Sequence, residues 1–324
     1  MGLSDLIGRI QKKYGKDAVV SDEMEKVDFL HSGSFILDRI LGGGWAKGRI
    51  VEVYGPESCA KTTLALHAAI EMQKTGKAVG YVDTEQALDP DYMQALGLDM
   101  SPDKFVLSQP NFAEDALEIV KEMCSEESIG LVVLDSVAGL VCKAEAMGEA
   151  GDAKIGLTAR LMSSQLKILK NICKDNNCIL FCINQLRDKI GGGLGYGPTT
   201  TTTGGKALRF YATQRIDMAR IGGDKEGEEF ISNIVRVKCQ KNKVYKPFGK
   251  CEITILFGYG LDIPKEILEL ACEYGICEKK GSWYSYGKKR LGQGLIQTRD
   301  YLVNTDPAVF EEIYKLVKSK EKEI

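Results

Sequence analysis

The nine residues Gly55-Pro56-Glu57-Ser58-Cys59-Ala60-Lys61-Thr62-Thr63, set between the apolar run RIVEVYG and the helix-like run LALHAAIEMQKTG, constrain this chain more than any other segment. A strand that turns sharply into a helix presents backbone N–H groups and the positive end of the helix to one point in space, which suits a nucleotide phosphate. Lys61 supplies a charge for the terminal phosphates, and the Thr62 hydroxyl is of the type and at the position that holds Mg²⁺. ATP and Mg²⁺ are therefore the expected ligands, with Gly55 through Thr63 as the cradle. Where the usual pattern has glycine before the lysine, Ala60 stands here. If that position takes positive φ, the methyl group costs backbone strain; if φ is negative, it costs little.

At 324 residues the chain is long enough for one large α/β core and a smaller appended domain. With a formal net charge of −2, affinity for nucleic acid must come from local basic or glycine-rich surfaces rather than from an overall positive field. The ten cysteines lie in apolar strand and helix patterns, as Cys142, Cys178 and Cys182 do, and are expected to be reduced core thiols. Cys173, Cys178 and Cys182 come nearest to metal-ligand spacing, but they straddle a helix end and a strand, with only His31 and His67 to help, which argues against zinc. Cys59 is different. A helix N-terminus and Lys61 are expected to lower its pKa, so that thiol oxidation would block ATP binding. The chain shows no basic-then-apolar leader and no apolar run of bilayer length, so a cytoplasmic protein without membrane contact is expected.

The segment LSDLIGRIQKKYG places Leu3, Leu6, Ile7, Ile10 and Tyr14 on one helical face, which must dock either on its own domain or on a neighbouring subunit. From Val27 to about Asp262, the strand-like runs IVEVYG, AVGYVD, LVVLDS and CILFCINQ alternate with amphipathic helices, which predicts an α/β fold with a mainly parallel sheet. RIDMARIG, IVRVKCQ and EITILFG follow one another without helices, predicting an antiparallel extension at one edge. Beyond Asp262, short helices enclose the segment GSWYSYGKKRLGQG, which reads as a small α+β domain.

Ligands of open α/β sheets sit at the carboxyl ends of the strands, so the polar residues that close each apolar run are candidates. Asp135 ends LVVLD and would contact Mg²⁺ directly or through water. Glu85 follows AVGYVDT and could orient or deprotonate an attacking water. Gln185 ends LFCINQ and could sense the γ-phosphate. The long run from Arg187 through Gly205, rich in glycine and threonine, is too polar for a core. Its backbone N–H groups and threonine hydroxyls suit phosphate contact, while Ile190, Leu194 or Tyr196 could wedge against or stack on bases. A second flexible stretch, KAEAMGEAGDAKIG, follows Asp135 and would emerge near the same sheet edge.

GPESCAKTTL, VDTEQALDPDY, LVVLDSVAGL, GDAKIGL with ARLMS, INQLRDKIG, TTTTGGKALRFYA, RVKCQKNKVYKPF and GSWYSYG occur in the order found in bacterial RecA recombinases, which this chain resembles over nearly its whole length. The resemblance implies a RecA-like P-loop ATPase core with a mostly parallel central sheet over 31–262, an N-terminal polymerisation helix within 1–30, and a small α+β domain over 263–324 that captures duplex DNA. It implies a DNA-dependent ATPase that forms homo-oligomeric helical filaments on single-stranded DNA, with ATP between subunits. Such filaments catalyse homologous pairing and strand exchange in recombination, repair and the SOS response, with loader or mediator proteins as further partners.

Carried across residue by residue, Lys61 and Thr62 bind the phosphates and Mg²⁺, Asp135 supports the metal, Glu85 activates water and Gln185 couples the γ-phosphate to the glycine-rich loop. Lys241 and Lys243 would reach the neighbour's ATP, and Asp89 and Tyr92 would lie near the adenine. The two DNA-binding loops fall at about 143–156 and 187–205, with Ile155, Arg160, Ser163, Lys167, Arg187, Ile190, Thr203, Gly204 and Gly205 at matching positions. Lys288, Lys289 and Arg290 are the phosphate contacts of the C-terminal domain. The chain departs from the family pattern at Ala60, at Lys206 where asparagine is usual, and in a longer glycine-rich loop. KLVKSKEKEI also lacks the family's common acidic tail, which predicts pairing of DNA at lower free Mg²⁺. Two alternatives share the ATPase core: a ring-forming helicase-like motor, against which the N-terminal helix and GSWYSYG argue, and a non-hydrolysing DNA scaffold crippled at Ala60, against which Glu85, Asp135, Gln185, Lys241 and Lys243 argue.

Overall fold

The computed structural model describes residues 2–15, 18–19, 26–148, 156–188 and 200–321. Strands Ile50–Gly55, Ala78–Asp83 and Ile129–Asp135 are buried at every position, as their unbroken apolar runs require of strands covered on both faces. They lie inside a ten-stranded sheet. From one edge its order is Gly260–Leu261, Lys250–Leu256, Ser232–Asn242, Gln214–Gly222, Ile50–Gly55, Ile179–Asp188, Ile129–Asp135, Ala78–Asp83 and Phe105–Ser108, with Thr200–Thr202 paired to Ile179–Asp188 off that path.

The last six strands of that order are parallel, and the first three pair antiparallel. RIDMARIG is thus the junction, parallel to the phosphate-loop strand on one side and antiparallel to Ser232–Asn242 on the other. The RecA-like α/β class expected from the sequence holds.

The pleat sorts side chains by alternation. Val51, Val53, Tyr81, Leu131, Val133 and Phe181 join one core with the helix Lys61–Lys74, and Ile50, Val82, Val132, Leu134, Leu180 and Cys182 join the other with the helices Ala113–Ser125 and Leu157–Asp175. Lys61–Lys74 is buried on most sides, which explains its small residues Ala65, Ala68 and Ala69.

The helix Leu157–Asp175 ends in a paired-carbonyl turn: Asn177 takes φ +52°, Cys178 N–H donates to Cys173 O at 3.0 Å and Asn177 N–H to Lys174 O at 3.3 Å. Cys173 and Cys178 are the apolar pair that closes such a turn. No cluster that could hold a metal ion occurs among the described residues.

A third core, with Ile267, Leu270, Tyr284, Leu291, Leu302 and Ile313, belongs to the C-terminal part. It is built from the helices Ile263–Glu273, Leu295–Asn304 and Pro307–Glu321 on an antiparallel sheet of Glu278–Lys280, Trp283–Tyr286 and Lys289–Gln293. Glu266 fastens this part to the sheet domain by accepting from Ser34 Oγ (2.7 Å) and Phe35 N–H (2.6 Å). The N-terminal helix Leu3–Tyr14 buries none of its residues: Leu3, Leu6 and Tyr14 are 74%, 44% and 66% exposed. Among the described residues, none buries its apolar face.

Candidate nucleotide site and adjoining nucleic-acid surface

The phosphate loop leaves the sheet at Gly55 and enters the helix at Lys61. Ser58 and Ala60 both take left-handed conformations, φ +55° and +63°. Ala60 therefore falls on the strained side of the alternative, at roughly 1–3 kcal/mol for a non-glycine residue. Lys61 is buried, and its ammonium donates to Gly55 O (3.2 Å) and Pro56 O (2.6 Å), within 3.7 Å of Cys59 Sγ. The charge is thus held over the loop, where a phosphate would replace those carbonyls as its partner. Burial pushes the Cys59 thiol up, outweighing the nearby ammonium. The expected lowered pKa is thereby corrected: 1% exposed, Cys59 is a packed thiol rather than a reactive one.

Glu57, Ser58, Cys59, Ala60, Lys61 and Thr62 form one wall of a cavity of about 370 Å³, and Glu85, Asp135, Ile183 and Gln185 complete it. Sheet register brings the second group together, because Gln185 stands opposite Gly55 and Asp135 opposite Asp83 on neighbouring parallel strands. Asp135 Oδ2 accepts from Thr62 Oγ1 at 2.8 Å and from the buried Tyr81 hydroxyl at 2.7 Å. Burial raises the Asp135 carboxyl above its ordinary range, and those two hydrogen bonds offset part of the effect. A carboxylate and a hydroxyl converging at the mouth of a phosphate loop are hard oxygen donors that fit Mg²⁺.

Glu85 is held from both ends. Asp83 Oδ1 accepts from Glu85 N–H (3.1 Å) and Gln86 N–H (2.8 Å), while Gln109 occupies Asp83 Oδ2 at 3.0 Å. The Glu85 carboxylate accepts from Ser136 Oγ and, at 2.9 Å, from Gln185 Nε2. Tyr81, Asp83 and Ser136 were missed in the sequence. Their only signal there is adjacency to the strand-end carboxylates.

Asp89 caps the helix Pro90–Ala95, accepting from Asp91 N–H at 2.9 Å and Tyr92 N–H at 3.4 Å. Tyr92 bonds Thr63 at 3.0 Å, so this helix packs beside the first turn after the phosphate loop. Lys241 and Lys243 are elsewhere. Lys241 is the register partner of Arg215, and Gln214 of Val51, so the lysines lie at the amino edge of the parallel strands, opposite the phosphate pocket. Lys241 Nζ donates to Arg209 O (2.5 Å) and Phe210 O (3.1 Å), and Lys243 Nζ to Phe210 O (3.3 Å). Burial and the neighbouring cations bring the Lys241 ammonium down to about 8.

Arg160, Ser163 and Lys167 share the exposed face of Leu157–Asp175, opposite the buried Met162, Leu166 and Leu169. Arg187 lies on the strand Ile179–Asp188, whose end pairs with Thr200–Thr202. Thr203 N–H donates to Gln185 O at 3.4 Å. Gly204 and Gly205 take φ +74° and +77°, and a Cβ on either would press within 2.8 Å of Val137 or Ala159. Glycine is therefore required where the loop returns to the sheet. Ile155 and Ile190 lie outside the described residues, as do Leu194 and Tyr196. In the C-terminal part Lys288 is exposed in the turn between two strands, Lys289 pairs with Asp306, and the Arg290 guanidinium stacks 3.9 Å from the Trp283 ring centre.

A doubly covered parallel sheet, a phosphate loop at the carboxyl end of one strand and carboxylates at the carboxyl ends of two further parallel strands define a P-loop nucleotide-binding protein of the RecA-like fold. Residues 2–262 match the RecA N-terminal domain family and residues 265–322 the RecA C-terminal domain family. Protein RecA of Chloroherpeton thalassium is 45% identical over 315 residues, spanning 96% of this chain and 87% of that protein, and Protein RecA of Nostoc punctiforme is 46% identical over 322 residues, spanning 98% and 88%. The crystal structure of the RadB recombinase shares the fold, with a TM-score of 0.54 at 23% identity over 72% of this chain and 98% of that one. The chain belongs to the RecA family of recombinases, DNA-dependent ATPases that act in DNA recombination and repair.

Proposed function

We propose that this chain hydrolyses ATP with Mg²⁺ in a DNA-dependent manner, assembles as a helical filament on single-stranded DNA in the cytoplasm, and exchanges strands with a homologous duplex. The observation that carries this assignment is the bond from Gln185 to Glu85, because Gln185 both lines the phosphate cavity and heads the glycine-rich segment that returns at Thr203. A γ-phosphate drawing Gln185 away from Glu85 would free that carboxylate for water and reposition the base of the DNA-binding segment in one movement.

In this account Lys61 and Thr62 hold the phosphates and Mg²⁺ with Asp135, and Asp89 and Tyr92 border the adenine. Arg160, Ser163, Lys167, Arg187, Thr203, Gly204 and Gly205 face single-stranded DNA, joined by Ile155 and Ile190. Lys288, Lys289 and Arg290 meet duplex phosphates. Lys241 and Lys243, on the edge away from their own pocket, serve the ATP of an adjacent subunit. The uncovered face of Leu3–Tyr14 and the exposed Val106 and Leu107 on the edge strand Phe105–Ser108 are suited to contacts between copies.

The test is strand exchange between a circular single strand and a homologous linear duplex with ATP and Mg²⁺. Joint molecules are expected with the wild type and not with Lys61→Ala; their absence with wild type in every nucleotide state would overturn the assignment.

A further inference from the structure

A polar cluster runs through the sheet from the phosphate pocket toward the edge that carries Lys241. Glu52 and Asn184 are both fully buried, on adjacent parallel strands. Glu52 Oε1 accepts from Asn184 Nδ2 at 3.0 Å, and Glu52 Oε2 from Arg215 Nε. Arg215 is Glu52's register partner on the next strand, and its guanidinium lies 4.7 Å from the Tyr54 ring centre. Asn184 uses its whole carboxamide: Nδ2 also donates to Thr203 O at 3.2 Å, while Oδ1 accepts from Gln185 N–H at 2.9 Å and from the Thr203 hydroxyl. A carboxamide turned over would set its oxygen against the Glu52 carboxylate and its NH₂ against the Gln185 N–H. The buried charge thus permits one orientation of Asn184.

We propose that Glu52, anchored by Arg215, is a positioning residue for coupling between the nucleotide pocket and the glycine-rich segment: it fixes the Asn184 carboxamide in the orientation that ties Gln185 to Thr203. Glu52 lines neither pocket nor loop and reaches both through Asn184, while its other partner Arg215 stands beside Lys241. The inference rests on the DNA-dependent ATPase proposed above. A glutamine at this position keeps the size of the side chain but removes the buried charge, so Asn184 is left to the Gln185 N–H and the Thr203 carbonyl alone and loses the strongest penalty against turning over.

The experiment compares wild type, Glu52→Gln and the double variant Glu52→Gln/Arg215→Gln in steady-state ATP hydrolysis with and without single-stranded DNA, alongside ATP affinity from a fluorescent analogue. The double variant removes the buried cation that the single one leaves unpaired, so a loss due to poor folding should recover in it. The expected result is a loss of about tenfold in DNA stimulation of kcat in both variants, with ATP affinity within about twofold of wild type. Normal stimulation in Glu52→Gln, or stimulation restored in the double variant, would overturn the inference while leaving the ATPase assignment intact. A wild type that DNA does not stimulate would overturn both.

Discussion

Gln185 donates through Nε2 to Glu85 Oε1 at 2.9 Å, joining the residue that begins the glycine-rich segment to the carboxylate best placed to activate water. In this arrangement Glu85 already accepts from Ser136 as well. Both donors occupy the same oxygen, Oε1, so the contact is a geometric restraint that a bound γ-phosphate drawing Gln185 away would release.

Ala60→Gly should relieve the left-handed strain at φ +63°. Thermal melts are expected to show about 1 kcal/mol of added stability and a rise of a few degrees in midpoint. An unchanged or lower midpoint would mean that the loop relaxes around the methyl group at no cost.

The position of Lys241 and Lys243 on the amino edge predicts complementation between subunits. Lys61→Ala and Lys241→Ala should each be inactive alone, whereas a 1:1 mixture should recover about a quarter of the wild-type DNA-stimulated turnover, the fraction of random contacts pairing an intact pocket with intact lysines. A mixture as inactive as its components would place both lysines in service of their own pocket.

His67 ties the phosphate-loop helix to the antiparallel edge, its Nε2 accepting Leu261 N–H at 2.9 Å. Burial holds its pKa down at about 4, against an ordinary 6.5. The unfolded chain therefore binds more protons between those values. The imidazole's contribution is complete above pH 6.5 and is lost as pH falls toward 4, up to about 3 kcal/mol. Urea melts at pH 4.5 and 7.5 should show a smaller pH difference in His67→Gln than in wild type; an equal difference would locate the acid sensitivity elsewhere.

Cys59, packed and pushed up by burial, should react with iodoacetamide at pH 7.5 more slowly than free cysteine, and peroxide should leave ATP binding intact. Rapid labelling at this one position in the folded protein would reverse that conclusion.

These outcomes mark what could be read from the sequence. The phosphate loop was legible because the chemistry demands particular residues in fixed order within nine positions, and Asp135, Glu85 and Gln185 were legible because each closes an apolar strand. The lowered pKa expected for Cys59 failed because local charge is visible in sequence and desolvation is a property of the packed core. Glu52 and Asn184 stand out only as polar residues inside IVEVYG and CILFCINQ. Their pairing across 132 positions follows from strand order, which alternation of helices and strands leaves open. The edge location of Lys241 and Lys243 depends on the same strand order.

The central claim is that one side chain links nucleotide chemistry to DNA. It is tested most directly by steady-state ATP hydrolysis of wild type and Gln185→Ala, each with and without single-stranded DNA. The expected result is strong DNA stimulation in wild type and a DNA-independent rate in Gln185→Ala with ATP still bound; stimulation of equal size in both proteins would contradict it.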